Sequence, residues 1–225
     1  MRKSLLTCLL ICIVSAATAQ NAVSVDSTYS NNYYLERLKF FSLLHPAKKP
    51  VVFLGNSITE AGPWTDLFPG KNVVNRGISG DNSYGVYARI DSVLALKPSK
   101  IFLLIGINDL KRGTPPSYIA YNYDRIVARI RTVSPKTSIY LQSVLPVAEK
   151  VMSNIYAKIN NGIIRTLNDS LQQVATKYHC TYVDLFAEFV GEDGQLPRKL
   201  TTDGLHISNA GYLKWAAYLR GRKYL

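Results

Sequence analysis

An α/β fold, built on a parallel sheet covered by helices on both faces, is what this 225-residue sequence predicts. Three observations carry the prediction. Short runs rich in β-branched and aromatic residues recur along the chain, segments with helical spacing separate them, and the runs are apolar throughout, as strands buried on both faces are. A composition that is 47% hydrophobic and 19% charged, with 14 glycines and 10 prolines, is that of a globular protein and excludes disorder, collagen and coiled coil. At this length one hydrophobic core serves a single domain.

Taken in order, the chain opens with Arg2 and Lys3, an apolar stretch of 13 residues from Leu5 to Ala17, and small residues at Ala17 and Ala19. That pattern predicts a secretory signal peptide over residues 1–19, too short to span a bilayer. The protein is therefore expected to be exported, to the periplasm or the exterior. No stable membrane insertion is expected, because no second long apolar run follows. Residues 20–32 are polar and rich in Ser and Asn, which predicts a flexible leader, and residues 33–225 form the domain.

Within the domain a first helix is predicted from Tyr33 to Leu44, broken by His45-Pro46. Five strands are predicted at Pro50-Val51-Val52-Phe53-Leu54, Val73-Val74, Ile101-Phe102-Leu103-Leu104-Ile105, Ile139-Tyr140-Leu141 and Thr181-Tyr182-Val183. Ile126, Ile130 and Val133 mark the face of one helix. Ile155, Ile159, Ile163, Leu167 and Leu171 mark another, and a last helix follows Gly204 to Gly211 and ends near Leu219.

Cys8 and Cys12 would leave with the signal, and neither fits a lipoprotein cleavage site. Cys180 then remains alone, with no intramolecular disulfide, and reads as a small core residue. The net charge is +12, of which +10 remains without Arg2 and Lys3. The basic residues are scattered as pairs such as Lys48-Lys49, Lys111-Arg112 and Arg198-Lys199, so no nucleic-acid partner is expected. An isoelectric point near 9.6 is compatible with association with anionic polymers or membranes, but a dispersed, solvated charge is the default reading.

In an open parallel sheet, ligands bind beyond the carboxyl ends of the strands. After the first strand comes Gly55-Asn56-Ser57-Ile58-Thr59. A serine at a helix start is exposed among free N–H groups, which suits a nucleophile whose substrate carbonyl becomes an oxyanion, although Asn and Ser also serve as plain helix caps. After the second strand, Asn75-Arg76-Gly77-Ile78-Ser79-Gly80-Asp81 has glycines framing a turn. After the third, Gly106-Ile107-Asn108-Asp109 offers an amide donor without a charge of its own, in a composition that also suits an ordinary turn. Asp203-Gly204-Leu205-His206 places a carboxylate and an imidazole within one turn, where the aspartate could orient the ring. A capping aspartate beside a core histidine is the alternative.

In this order and spacing the four segments resemble the sequence blocks of the SGNH (GDSL-type) hydrolase family, from about Val51 to Leu219. The resemblance implies a three-layer α/β/α sandwich with a five-stranded parallel sheet, the flavodoxin-like SGNH hydrolase fold. It implies a secreted serine esterase with Ser57 as nucleophile, His206 as base and then acid, and Asp203 orienting it. The oxyanion hole would be the N–H groups of Ser57 and Gly80 with the amide of Asn108. Asn56 departs from the family's aspartate, which touches local turn bonding and not the reaction. Asp81 and Asp109 are expected to brace the loops. No metal and no organic cofactor are implied, and no zinc-binding pattern is present.

The expected partner is a small-molecule or glycan ester, with acetyl on a carbohydrate leading. The connections near Ser57, Gly80, Asn108 and Asp203 read as too short for a lid, and Trp64, Tyr84 and Tyr87 are candidates to stack on sugar rings, or else core residues. A lysophospholipase or thioesterase is the alternative within the family. A flavin carrier is disfavoured by Glu60 beside the first loop, and a non-catalytic glycan-binding module by the presence of all of Ser57, Asn108, Asp203 and His206. Nothing in the sequence predicts the oligomeric state.

Overall fold

The computed structural model describes residues 26–225. The signal-peptide reading of residues 1–19, and the leader up to residue 25, lie outside the described residues. Helix α1 (Asn32–Leu43) is capped by Asn31, whose side chain accepts from the Tyr34 N–H. Strand β1 (Val51–Gly55) leads into two short helices, α2 (Ser57–Glu60) and α3 (Trp64–Leu67). Strand β2 (Val73–Gly77), helix α4 (Ser83–Leu94) and strand β3 (Lys100–Leu104) follow. Helices α5 (Ile107–Arg112) and α6 (Pro116–Val133) precede strand β4 (Ser138–Gln142). The chain ends with α7 (Asn161–Lys177), β5 (Thr181–Val183), α8 (Leu185–Phe189) and α9 (Asn209–Gly221).

All strand pairings are parallel, in the order β2-β1-β3-β4-β5. This is the doubly wound flavodoxin-like order, whose direction of winding reverses between β1 and β3. Right-handed crossovers put α4, α6 and α7 on one face and α3 and α9 on the other, giving the three layers expected. On the second face Phe53, Phe102 and Tyr140 lie in register on β1, β3 and β4, and their rings stack at 5.0 and 4.4 Å. Trp64 stacks on Phe53 at 3.9 Å, and Trp215 of α9 meets Trp64 edge-on at 4.9 Å. That row fixes the middle of the sheet rigidly, and the loops at its carboxyl edge inherit the rigidity.

The structure corrects the predicted helix through Ile155 and Ile159. Helix α7 begins only at Asn161, capped by Asn160, whose side chain accepts from the Ile163 N–H. Ile155 sits 62% exposed in a 3-10 turn (Asn154–Tyr156), while Ile164, Leu167 and Leu171 face the core. Residues 143–160 are instead a long connection held down by asparagines. The Asn161 amide bonds both N and O of Val147, and the Asn168 amide does the same for Val144. Val133, taken as a core position, is 45% exposed because α6 ends there. Cys180 is half-buried against the core.

Candidate active site

Ser57 follows β1 directly. Asn56 caps α2 by accepting from the Ile58 N–H at 3.0 Å, so an asparagine does there what an aspartate would, although its buried Nδ2 has no partner among the described residues. As the first residue of α2, Ser57 has an N–H that no helical carbonyl can accept. The helix lies hard against the end of β2: a Cβ at Gly77 would meet the Glu60 backbone N at 2.2 Å. Only glycine lets α2 sit this close.

Ser57 Oγ stands 3.1 Å from His206 Nε2, and His206 Nδ1 stands 2.7 Å from Asp203 Oδ2. The other Asp203 oxygen accepts from the backbone N–H groups of Leu205 and His206 at 2.9 and 2.8 Å. Partial burial raises the Asp203 carboxyl, but the His206 ring and these two amides outweigh it and hold it below the usual carboxylate range. An ionised Asp203 keeps the ring proton on Nδ1. Nε2 is then left as the acceptor facing the serine. Asp203, Ser57 and His206 are thus brought together, over 149 residues of separation between Ser57 and His206.

Gly80 lies in the turn after β2 with φ of 81°, a left-handed conformation that favours glycine, and its N–H has no protein partner among the described residues. Asn108 lies in α5 after β3, and its Nδ2 donates one hydrogen to the Asp81 carbonyl at 2.8 Å, leaving the second free. Ser57, Gly80 and Asn108 therefore follow three neighbouring strands, at the reversal of the sheet.

Behind these donors lies a buried network. Asp81 pairs with Arg89 at 2.9 Å, and burial pushes its carboxyl up to about 6 against the pull of that guanidinium. Asp109 accepts from the Ser83 hydroxyl at 2.5 Å and from the Ser83 N–H, and burial pushes it up to about 7 against those donors. Asn122 donates to the same hydroxyl at 2.8 Å. Both aspartates brace the loops, as expected. Sequence reasoning used Glu60 only against a flavin carrier and missed its bracing role: its carboxylate accepts from the Ser79 N–H and hydroxyl and from the Tyr33 hydroxyl, and pairs with Arg37 at 2.9 Å. Its place three residues after Ser57, on the exposed side of α2, was the available signal.

The sequence also missed a wall. In residues 143–160 the Ala148 N–H donates to the Gly204 carbonyl at 2.8 Å, Met152 lies against Gly204, and Lys111 covers the Tyr156 ring at 4.9 Å. The connection thus closes along the Asp203–His206 and α5 segments, and the chain near the site is longer than the prediction of short connections allowed. Trp64 is a core residue, 2% exposed, and not a sugar platform. The face of Tyr87 is covered by Arg125 at 3.8 Å, and Tyr84 is half-buried.

A model of the GDSL-like Lipase/Acylhydrolase family matches residues 53–214, which hold Ser57, Gly80, Asn108, Asp203 and His206. The chain belongs to that family. As a GDSL-like acylhydrolase it is a carboxylic ester hydrolase. It is 28% identical over 174 residues to platelet-activating factor acetylhydrolase IB subunit alpha2 of Rattus norvegicus, covering 74% of this chain and 73% of the relative. Among solved structures, a GDSL-like lipase of Bacteroides thetaiotaomicron superposes with a TM-score of 0.72 at 27% identity, covering 85% of this chain and 98% of that one. An acetyl xylan esterase shares the fold, with a TM-score of 0.64 at 20% identity, covering 77% and 98%.

Proposed function

We propose that this acylhydrolase works through an acyl-enzyme on Ser57 and removes short acyl groups, acetyl first, from carbohydrate or similarly bulky alcohols outside the cytoplasm. His206 Nε2 takes the Ser57 proton as the oxygen attacks the ester carbonyl, and Asp203 stabilises the imidazolium. The N–H groups of Ser57 and Gly80 and the amide of Asn108 receive the oxyanion. His206 then protonates the departing alcohol, and water repeats the sequence on the acyl-enzyme.

The observation that carries the reading is the unbroken contact from Ser57 through His206 to Asp203. Short acyl chains are favoured because the wall of residues 143–160 is tied down at Val144, Val147 and Ala148 and does not hang free as a cover for a long chain. Each methylene left in water forgoes about 0.8 kcal/mol. The rat relative is by its name an acetylhydrolase, which agrees with the acyl group and leaves the alcohol to be found.

The test is a panel of esters varied separately in acyl length and alcohol, run with wild type, Ser57→Ala, His206→Ala and the double variant. Each single variant should lose several orders of magnitude in kcat, and the double hardly more, because the pair acts as a unit. Near wild-type turnover in Ser57→Ala would sink the mechanism. A maximum at long acyl chains, or lysophospholipid turnover without sugar deacetylation, would sink the substrate reading alone.

A further inference from the structure

We propose that the edge of the sheet opposite the active site is a docking face for an anionic lipid bilayer. In a parallel sheet every strand begins at the same edge, so the residues preceding the strands are gathered there whatever their distance in sequence. Four adjacent strands are each preceded by exposed lysine: Lys71 before β2, Lys48 and Lys49 before β1, Lys97 before β3 and Lys136 before β4. With neighbouring strands roughly 4.8 Å apart, this row follows the edge for about 15 Å. The approach segments, residues 44–50, 68–72, 95–100 and 133–138, contain no Asp or Glu. No ion pair among the described residues includes any of these five lysines.

Apolar side chains lie between the charges. A depression of about 450 Å³ is lined by Leu44, Pro46, Leu96 and Lys48, and a second of about 560 Å³ by Val133, Pro135 and Lys136. Lys49 and Lys97 line both, so the two form one trough along the edge. Leu44 is 38% and Val133 45% exposed. Lys49 and Lys97 hold φ of 55° and 50°, left-handed values that glycine or asparagine would adopt at lower cost. Helix dipoles do not account for the row, since their pull fades within the last turn, and Lys48 and Lys71 lie beyond the ends of α1 and α3.

Lysines interleaved with leucine, valine and proline match the headgroup region of an anionic bilayer, where the charges meet phosphate and the apolar groups leave water. A hydrated polyanion offers only the first of these. The active site then faces away from the surface, because Ser57, Gly80 and Asn108 follow the opposite ends of the same strands. Docked in this way, the hydrolase is held at a membrane and acts on esters that project or diffuse from the aqueous side, and the inference does not depend on which ester that is.

The test is co-sedimentation with vesicles of phosphatidylcholine alone and of phosphatidylcholine mixed with phosphatidylglycerol. It uses protein beginning at Gln20, so that residues 1–19 add no lipid affinity of their own while every described element is kept. Binding is expected only with phosphatidylglycerol and should fall as salt is raised. The variant Lys48→Gln/Lys49→Asn/Lys97→Asn/Lys136→Gln keeps residues able to adopt the left-handed backbone. It should bind roughly 600-fold more weakly, each of the four lysines contributing about fivefold, with turnover of a soluble p-nitrophenyl ester unchanged as proof of folding. Lys150→Gln/Lys199→Gln, equally reduced in charge per site but at the other end of the molecule, should bind nearly as wild type. Equal losses per lysine removed in the two variants would show a net-charge effect, and binding to heparin without binding to the vesicles would show a polysaccharide surface. Either result overturns the proposal, as does failure to bind the anionic vesicles.

Discussion

Gly77→Ala adds one methyl group, and the structure says where it goes. The new Cβ would stand 2.2 Å from Glu60 N, 2.5 Å from Glu60 Cα and 2.8 Å from the Thr59 carbonyl carbon. All three are backbone atoms of α2, so no side chain can rotate aside. To restore ordinary contact the helix must withdraw by about 1 Å, as close-packed interiors offer no slack. Ser57 begins that helix, and its Oγ already stands 3.1 Å from His206 Nε2. A displacement of about 1 Å in a reacting group costs on the order of 10² in rate. Overpacking itself costs about 1–3 kcal/mol, which for a chain of this size lowers Tm by roughly 2–12 °C. Thermal melting by circular dichroism and kcat on p-nitrophenyl acetate read the two effects. Gly221→Ala, whose Cβ would meet nothing within 4 Å, is the control and should leave kcat unchanged and Tm equal or slightly raised, because alanine suits the helix better than glycine. A Gly77→Ala protein with wild-type melting and kcat within about twofold would refute the reasoning that α2 is held by backbone contact.

Asn108→Ala should lower kcat by roughly 10² to 10³ with little change in KM, the loss usual for one oxyanion donor; a change confined to KM would make Asn108 a substrate-binding residue instead. Glu60→Gln retains one acceptor oxygen where the carboxylate serves Ser79 on one side and Tyr33 and Arg37 on the other. Urea unfolding should show a loss of about 2 kcal/mol, and unchanged stability would mean that α1 is not bolted to the oxyanion turn. Asp109, pushed up to about 7 by burial, keeps its proton in the folded chain after the unfolded chain has released it. Its contribution to stability is therefore full below about 4 and is lost as pH rises toward 7. Asp109→Asn should remove that part of the slope, whatever its absolute stability, so equal slopes in urea unfolding from pH 4 to 8 would show that Asp109 does not titrate in this range.

The parallel sheet was legible because apolar runs too short for helices are a local signal; Ser57 and Asn108 just after such runs, and Asp203 and His206 just before the last helix, stood out locally, but each also suited an ordinary cap, turn or core residue, and their roles came from the resemblance to the family. The false helix at Ile155 and Ile159 had the same kind of local warrant. Apolar residues four apart happened to continue across Asn160, but the consecutive Asn160 and Asn161 are a cap and a loop anchor, and their bonds to Ile163 and Val147 prevail over periodicity. Trp64 was ambiguous because its distance from Ser57 says nothing of direction; only the register of Phe53 with Phe102 creates the flat surface on which it lies. The lysine row has no local pattern, since only Lys48 and Lys49 of its five members are adjacent in sequence. Its members are brought together by strand order, which no local pattern encodes.

Trp64 and Trp215 are the only tryptophans of the chain, and they stand edge-on at 4.9 Å with neither more than 2% exposed. Their excited states are therefore coupled to each other and shielded from water. Emission should be blue-shifted, and the near-ultraviolet dichroism should carry the signature of an interacting pair. Both signals originate where α3 meets α9 behind the sheet, and the Trp64 indole N–H also donates to the Thr59 carbonyl of α2, the helix that Ser57 opens. Such a chromophore can be watched while substrate turns over, so a change in fluorescence during an assay would report movement of α2 or of the packed layer behind it.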